Sequence, residues 1–186
     1  HKEYRRQRQM CIRDSPQGAP GPQGAGGTIA YWGSFWSTQD QTASSANTAY
    51  LISYNNTDAN STGVSIVSNT RVTFAHQGVY SITFSIQFSN SDTQLHDVNV
   101  WLKLNGTNVS ATDSRFSVPN SHGGADGHTI GTVNFVIELQ ANDYIELAWA
   151  TDDTAVSLQY IGASSPAPSI PSVILTATQV TYTQVG

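Results

Sequence analysis

Cysteine, methionine and basic residues are nearly missing from this chain, and each shortage removes a class of function. There is one Cys, Cys11, and one Met, Met10, both within the first fifteen positions. The rest of the chain therefore has no disulfide framework and no thiol nucleophile. Five of the eight basic residues also fall in that segment. Residues 16–186 keep only Arg71, Lys103 and Arg115 against eleven acidic groups, a net charge of −8 where the full chain carries −5. So few cations cannot release counterions from a phosphate backbone, so nucleic-acid binding is excluded. No uninterrupted apolar run approaches the roughly 18 residues of a membrane span, so no membrane insertion is expected. No segment shows a 3.6-residue apolar period, which argues against helices.

What is present divides into three parts. Residues 1–15 (HKEYRRQRQMCIRDS) resemble the translated sequencing-adaptor read-through found at the ends of environmental metagenome fragments, and are set aside as a non-native scar. The alternative is a basic arm. Residues 16–27 place Gly18, Gly21, Gly24 and Gly27 in triplet register among prolines. That is the Gly-X-Y period of a collagen triple helix, where only glycine fits the axis shared by three chains. The alternative is a Pro/Gly linker. Residues 28–186 form the head, enough for one sandwich with a full core.

Period-2 alternation dominates the head. Tyr80, Ile82, Phe84, Ile86 and Phe88 share one face of a strand over 78–88, with Val79, Ser81, Thr83, Ser85 and Gln87 on the other. Val98, Val100, Leu102 and Leu104 alternate with Asn99, Trp101 and Lys103, and Asn105-Gly106 closes that strand with a hairpin signal. Val133, Phe135, Ile137 and Leu139 share a third inward face, and Ile145, Leu147 and Trp149 a fourth after the turn at 141–143. Further strands are expected at 156–160 and 172–182, and shorter ones at 29–35, 49–54, 64–67 and 71–74. About ten short strands with turn residues every 8–12 positions predict an all-β, antiparallel jelly-roll β-sandwich. The sequons at Asn55, Asn60, Asn105 and Asn108 follow from a Ser/Thr/Asn-rich wet face.

Val72-x5-Gly78-x-Tyr80-x-Ile82, running into a long alternating strand, resembles the Phe-x5-Gly-x-Tyr-x-Phe signature of the complement component 1q and tumour necrosis factor superfamily. Asn142-Asp143 before Ile145-Glu146-Leu147 resembles that family's Gly-Asp turn into its seventh core strand. Ser172-Val173-Ile174-Leu175 is similar to its last core strand, without the usual Phe-x-Gly. The segments 46–50, 63–68, 97–102, 149–151 and 171–176 more closely resemble head domains in structural proteins of marine tailed bacteriophages. The resemblance implies a homotrimeric head on a virion appendage, a tail fibre or decoration protein touching a host surface glycan or protein and joined to other virion proteins through an N-terminal region. Its alternative is a secreted or cell-surface bacterial collagen-like adhesin.

A few collagen triplets cannot offset the entropy of aligning three chains, so the head must drive association. Aromatics that the strand pattern does not need inside, Trp32, Trp36, Trp101 and Tyr144, are the candidates for the trimer interface. Enzymatic chemistry finds little footing. The head has no Gly-x-Ser-x-Gly elbow, Asp152-Asp153 reads as a solvated turn, and no cofactor is called for. His122, Asp126 and His128 are the weak candidates for a metal site, set against a polar glycine-rich loop. His76 and His96 are read as turn residues without a special role. Recognition falls to the loops at 55–63, 89–96, 111–128 and 162–171, with Asn56, Asp58, Asn60, Asn120, His122, Asp126 and His128 as ligand-facing candidates.

Overall fold

A computed structural model of the chain describes residues 30–181. The segments 1–15 and 16–27, with their scar and collagen-like readings, lie outside the described residues. Within them the chain is all-β. Its strands are β1 (Trp32–Ser37), β2 (Gln41–Thr42), β3 (Tyr50–Leu51), β4 (Asn56–Thr57), β5 (Val64–Val67), β6 (Arg71–Phe74) and β7 (Gly78–Asn90). They continue as β8 (His96–Leu104), β9 (Thr107–Asn108), β10 (Ser114–Val118), β11 (Gly127–Leu139), β12 (Tyr144–Thr151), β13 (Val156–Leu158) and β14 (Val173–Thr181). Ten of them are three residues or longer, and all the strand pairings are antiparallel.

Two sheets form a jelly-roll sandwich. In the first, β7 is flanked on one side by β11 along its whole length and on the other by β14 and then β13. Beyond β14 come β1 and β4, and β2 pairs with β13. The second sheet runs β10-β8-β12-β6-β5, with β3 beside β12 and β9 beside β8. The alternation expected for β7 holds: Tyr80, Ile82, Phe84, Ile86 and Phe88 are buried and meet Val98, Val100, Leu102, Ile145, Leu147 and Trp149 from the facing sheet in one core. Val64–Val67 and Arg71–Phe74 stand where alternation put them. The first strand begins later than expected, at Trp32, and the strand expected over 49–54 reduces to Tyr50–Leu51. Its continuation is held by single bonds, Ile52 N–H to Leu147 O at 2.9 Å and Tyr54 N–H to Asn69 O at 2.7 Å, in place of a ladder.

Two local features explain sequence signals. Gly78 sits where a β-carbon would lie 2.4 Å from Gln179 Nε2 and 2.7 Å from the Thr181 carbonyl, so the β7–β14 crossing admits only glycine. Asn105 and Gly106 both have positive φ, 50° and 82°, as a two-residue hairpin between β8 and β9 requires.

Candidate functional site

Strand registers decide which off-core side chains meet. On the outer face of the first sheet, Trp36 lies opposite Ile174, which lies opposite Ser85, which lies opposite Thr132. The next row is Ser34, Thr176, Thr83 and Asn134, and Asn134 Nδ2 donates to Ser81 Oγ at 2.8 Å and Thr83 Oγ1 at 2.7 Å. Ile130, Val136, Ile174 and Val180, between 40% and 66% exposed, lie on β11 and β14 of this sheet, with half-buried Trp32 and Trp36 on β1. Glu138 is the one Asp, Glu, Lys or Arg on any strand of the first sheet. The strands of the second sheet carry Arg71, Asp97, Lys103, Arg115 and Glu146, which include every Lys and Arg among the described residues. The first sheet thus carries a single charged side chain outside, the exposed Glu138 on its β11 edge, whereas the second is charged.

The four aromatics grouped from the sequence separate along the same line. Trp32 and Trp36 belong to the first sheet, Trp101 and Tyr144 to the second. Tyr144 lies under the Arg71 guanidinium, 4.6 Å from its ring centre. Arg71 Nε in turn stands 3.5 Å from the buried carboxylate of Glu146, to which Thr70 Oγ1 donates at 3.2 Å. Tyr144 is therefore tied into its own sheet.

Trp101 belongs to a cleft. On β8 the inward residues are Val98, Val100 and Leu102, which turns Asn99 and Trp101 outward. Across the ladder, β12 offers only Ala150 and Ala148 opposite them; Ala148 is covered, and the open space lies beside Ala150. The far wall comes from the β9–β10 connection, pinned by Leu102 N–H to Thr112 Oγ1 at 3.1 Å and Thr112 Oγ1 to Val109 O at 2.8 Å. Asn108 Oδ1 accepts from Trp101 Nε1 at 2.9 Å and fixes the indole. Asp113 Oδ2 accepts from Asn99 Nδ2 at 2.8 Å. Asn47, with its backbone N–H on Thr151 O at 2.7 Å, closes the near side. The cleft is an open depression of about 490 Å³ that adjoins a smaller hollow of about 120 Å³ through shared Asn47, Asn99 and Ala150.

The loop candidates do not form one site. Asn56 lies on β4 and Asp58 and Asn60 just beyond it, Asp58 Oδ1 accepting from Asn60 N–H at 2.8 Å. Asn120, His122 and Asp126 lie in the β10–β11 connection, and His128 on β11. β4 and β11 are opposite edges of the first sheet, with β1, β14 and β7 between them. The weak metal candidates His122, Asp126 and His128 are not brought together as one donor group. Among the described residues, the group of three metal-type donors within 4.8 Å of one another is Asp92, His96 and Asp153. Asp126 instead accepts from Ser89 Oγ at 3.2 Å, and His122 closes a tight turn with Ala125 through Gly123 and Gly124.

The two histidines assigned to turns have partners. His76 stacks on Tyr31 at 3.7 Å between ring centres. His96, the first residue of β8, has Nε2 at 2.9 Å from Asp92 Oδ2 and Nδ1 at 3.1 Å from Asp152 Oδ1, with Asp153 Oδ2 at 4.0 Å. Both ring nitrogens face carboxylates, the geometry of an imidazolium donating twice. The hydrogen bond that His96 donates to Asp92 raises the His96 pKa against the opposing effect of burial, and the same bond lowers that of Asp92. This clamp ties the β7–β8 loop to the β12–β13 turn. Compared with known proteins, the chain matches no family model and no curated protein.

Proposed function

We propose that this chain is the trimeric head of a bacteriophage virion appendage, a tail fibre or decoration protein, that meets the host cell surface. The observation that carries the reading is the outer face of the first sheet, on which Glu138 at the β11 edge is the single carboxylate and no Lys or Arg stands. A carpet of Ser and Thr edged by Trp32, Trp36, Ile130, Val136 and Ile174 can be desolvated at low cost, because it has almost no ions to strip of water. Depletion of charge at the centre with aromatic and aliphatic anchors is the composition of an interface core. Three copies packed through this sheet would turn the charged sheet outward. The jelly roll, the Gly78 and Asn142-Asp143 features and the triplet glycines all accord with a threefold head.

Light scattering after gel filtration tests the assembly on the full chain of 20.0 kDa. A single species of three chains is expected, and a monomer would remove the interface argument. Neighbouring reading frames test the setting: capsid, baseplate or terminase genes support the virion reading, whereas a secretion signal upstream supports the adhesin.

A further inference from the structure

We infer that the Trp101 cleft is a carbohydrate-binding site for a neutral, unphosphorylated and unsulfated saccharide. The inference deepens the host-contact reading and rests on it for the exposure of the second sheet in the assembled head. Three properties of the cleft select the ligand.

The first is a single fixed aromatic. Trp101 cannot swing away without losing the bond from its Nε1 to Asn108 Oδ1. Its cross-strand neighbour is the small Ala148, and with Ala150 the indole lines an open cleft. A rigid indole presents a large apolar surface at little entropic cost, matched to the C–H face of a pyranose. The second is the lining: Asn47, Asn99, Asn108, Ser110 and Asp113 surround that platform. Amides offer donors and acceptors together, and the Asp113 carboxylate, accepting from Asn99 through Oδ2, keeps further lone pairs for a ligand hydroxyl. A ligand that is apolar on one face and ringed with hydroxyls satisfies both, whereas a purely apolar one would leave these groups unpaired.

The third is charge. No Lys or Arg lines the main cleft, and its one ionisable group is acidic. Phosphate, sulfate and carboxylate groups are therefore repelled. The smaller hollow brings Arg115, whose Nη1 is 3.8 Å from Asp97 Oδ2, so that cation is already partnered. The volume of about 490 Å³ lies within the range of small-ligand sites, and the smaller hollow adjoins it at Asn47, Asn99 and Ala150. A trimer would carry the cleft three times, which converts weak single contacts into firm attachment to a dense glycan layer.

The test uses the full chain on an array of neutral gluco-, galacto-, manno- and N-acetylhexosaminyl oligosaccharides, with sialylated and sulfated glycans for comparison, followed by calorimetry on the best neutral hit. Binding to a neutral class is expected, with Trp101→Ala weakening it about tenfold or more and Trp101→Phe less. Ser110→Arg, on an exposed loop, should block the cleft without touching the indole, and it decides the matter if Trp101→Ala does not fold. The inference is overturned if only charged glycans are retained, if nothing is retained, or if binding survives both substitutions. Mass is read on the same samples. Trimeric protein without sugar binding sinks the cleft alone, and monomeric protein with sugar binding sinks the assembly alone.

Discussion

Asn90 is a buried amide on which the β7–β8 loop is built, and Asn90→Ala should be among the most costly single substitutions in the head. The residue is 0% exposed. Its Nδ2 donates to Gln94 O at 2.7 Å and reaches Pro119 O at 3.2 Å, while its Oδ1 accepts from Asp92 N–H at 2.9 Å. Alanine leaves two carbonyls and one amide without their partner and opens a small cavity. Each buried polar group left unpaired costs about 1–3 kcal/mol. Water reaches the Gln94 and Asp92 groups at the rim, so the total comes to about 2–4 kcal/mol. With a urea slope of about 2 kcal/mol/M, the unfolding midpoint should fall by about 1–2 M. The assay is equilibrium urea unfolding followed by tryptophan fluorescence, at one fixed protein concentration because association adds to apparent stability. Ser91→Ala, which removes an exposed hydroxyl bonded to Ala155 O at 3.4 Å, is the control and should change stability by less than about 0.5 kcal/mol. A loss below about 1 kcal/mol for Asn90→Ala would show that the amide does not hold the loop.

Three further outcomes follow from the geometry. Val136→Lys sets a cation on the outer face of the first sheet, where Glu138 is the single charged side chain, and should lower the solution mass while leaving the circular dichroism spectrum unchanged; an unaltered mass would place the interface elsewhere. The His96 clamp predicts a stability plateau. The pKa of His96 is raised, so its contribution is full below the unfolded-state value and is lost as pH rises through the folded-state value. The pKa of Asp92 is lowered, so its contribution is lost as pH falls through its depressed value. Asp152 and Asp153 face the ring from the β12–β13 turn, and Arg115 offsets only the adjacent Asp97. Melting temperature against pH should therefore fall off on both sides, and His96→Ala should flatten the alkaline side; an unchanged profile refutes the clamp. Gly131→Ala places a β-carbon 2.7 Å from the Phe88 ring and 3.1 Å from that of Phe116, and should cost about 1–3 kcal/mol in the same urea assay.

The core was readable because alternation is a local signal. The inward sets of β7, β8 and β12 could be assigned from the order of residues within each strand, since a one-residue slip would send every apolar side chain to water. Alternation also says that Trp36 and Trp101 are off the core, but it cannot say which sheet each strand joins. That depends on pairings such as Trp36 with Ile174 and Ala148 with Trp101, formed between distant segments. The cleft shares this difficulty, since Asn47, Trp101, Asp113 and Ala150 come from separate connections and strands. The clamp left a partial trace in the i, i+4 pair Asp92 and His96, but Asp152 arrives 56 positions later. Two histidines and an aspartate close in sequence, His122, Asp126 and His128, looked more like a metal site than residues that converge only in space.

The pairing of β1 with β14 sets Gly33 opposite Ala177, so the first strand of the head waits for the last. At a synthesis rate of about 5–20 residues per second, the interval between them is about 7–30 s on the ribosome. During that time β7 can pair with β11 along one edge only, with its other edge open over the stretch later covered by β14. The chain thus emerges with an adhesive seam that neighbouring nascent chains could zip into. Serines and threonines at alternate positions keep the outward face of β7 polar while that edge stands open.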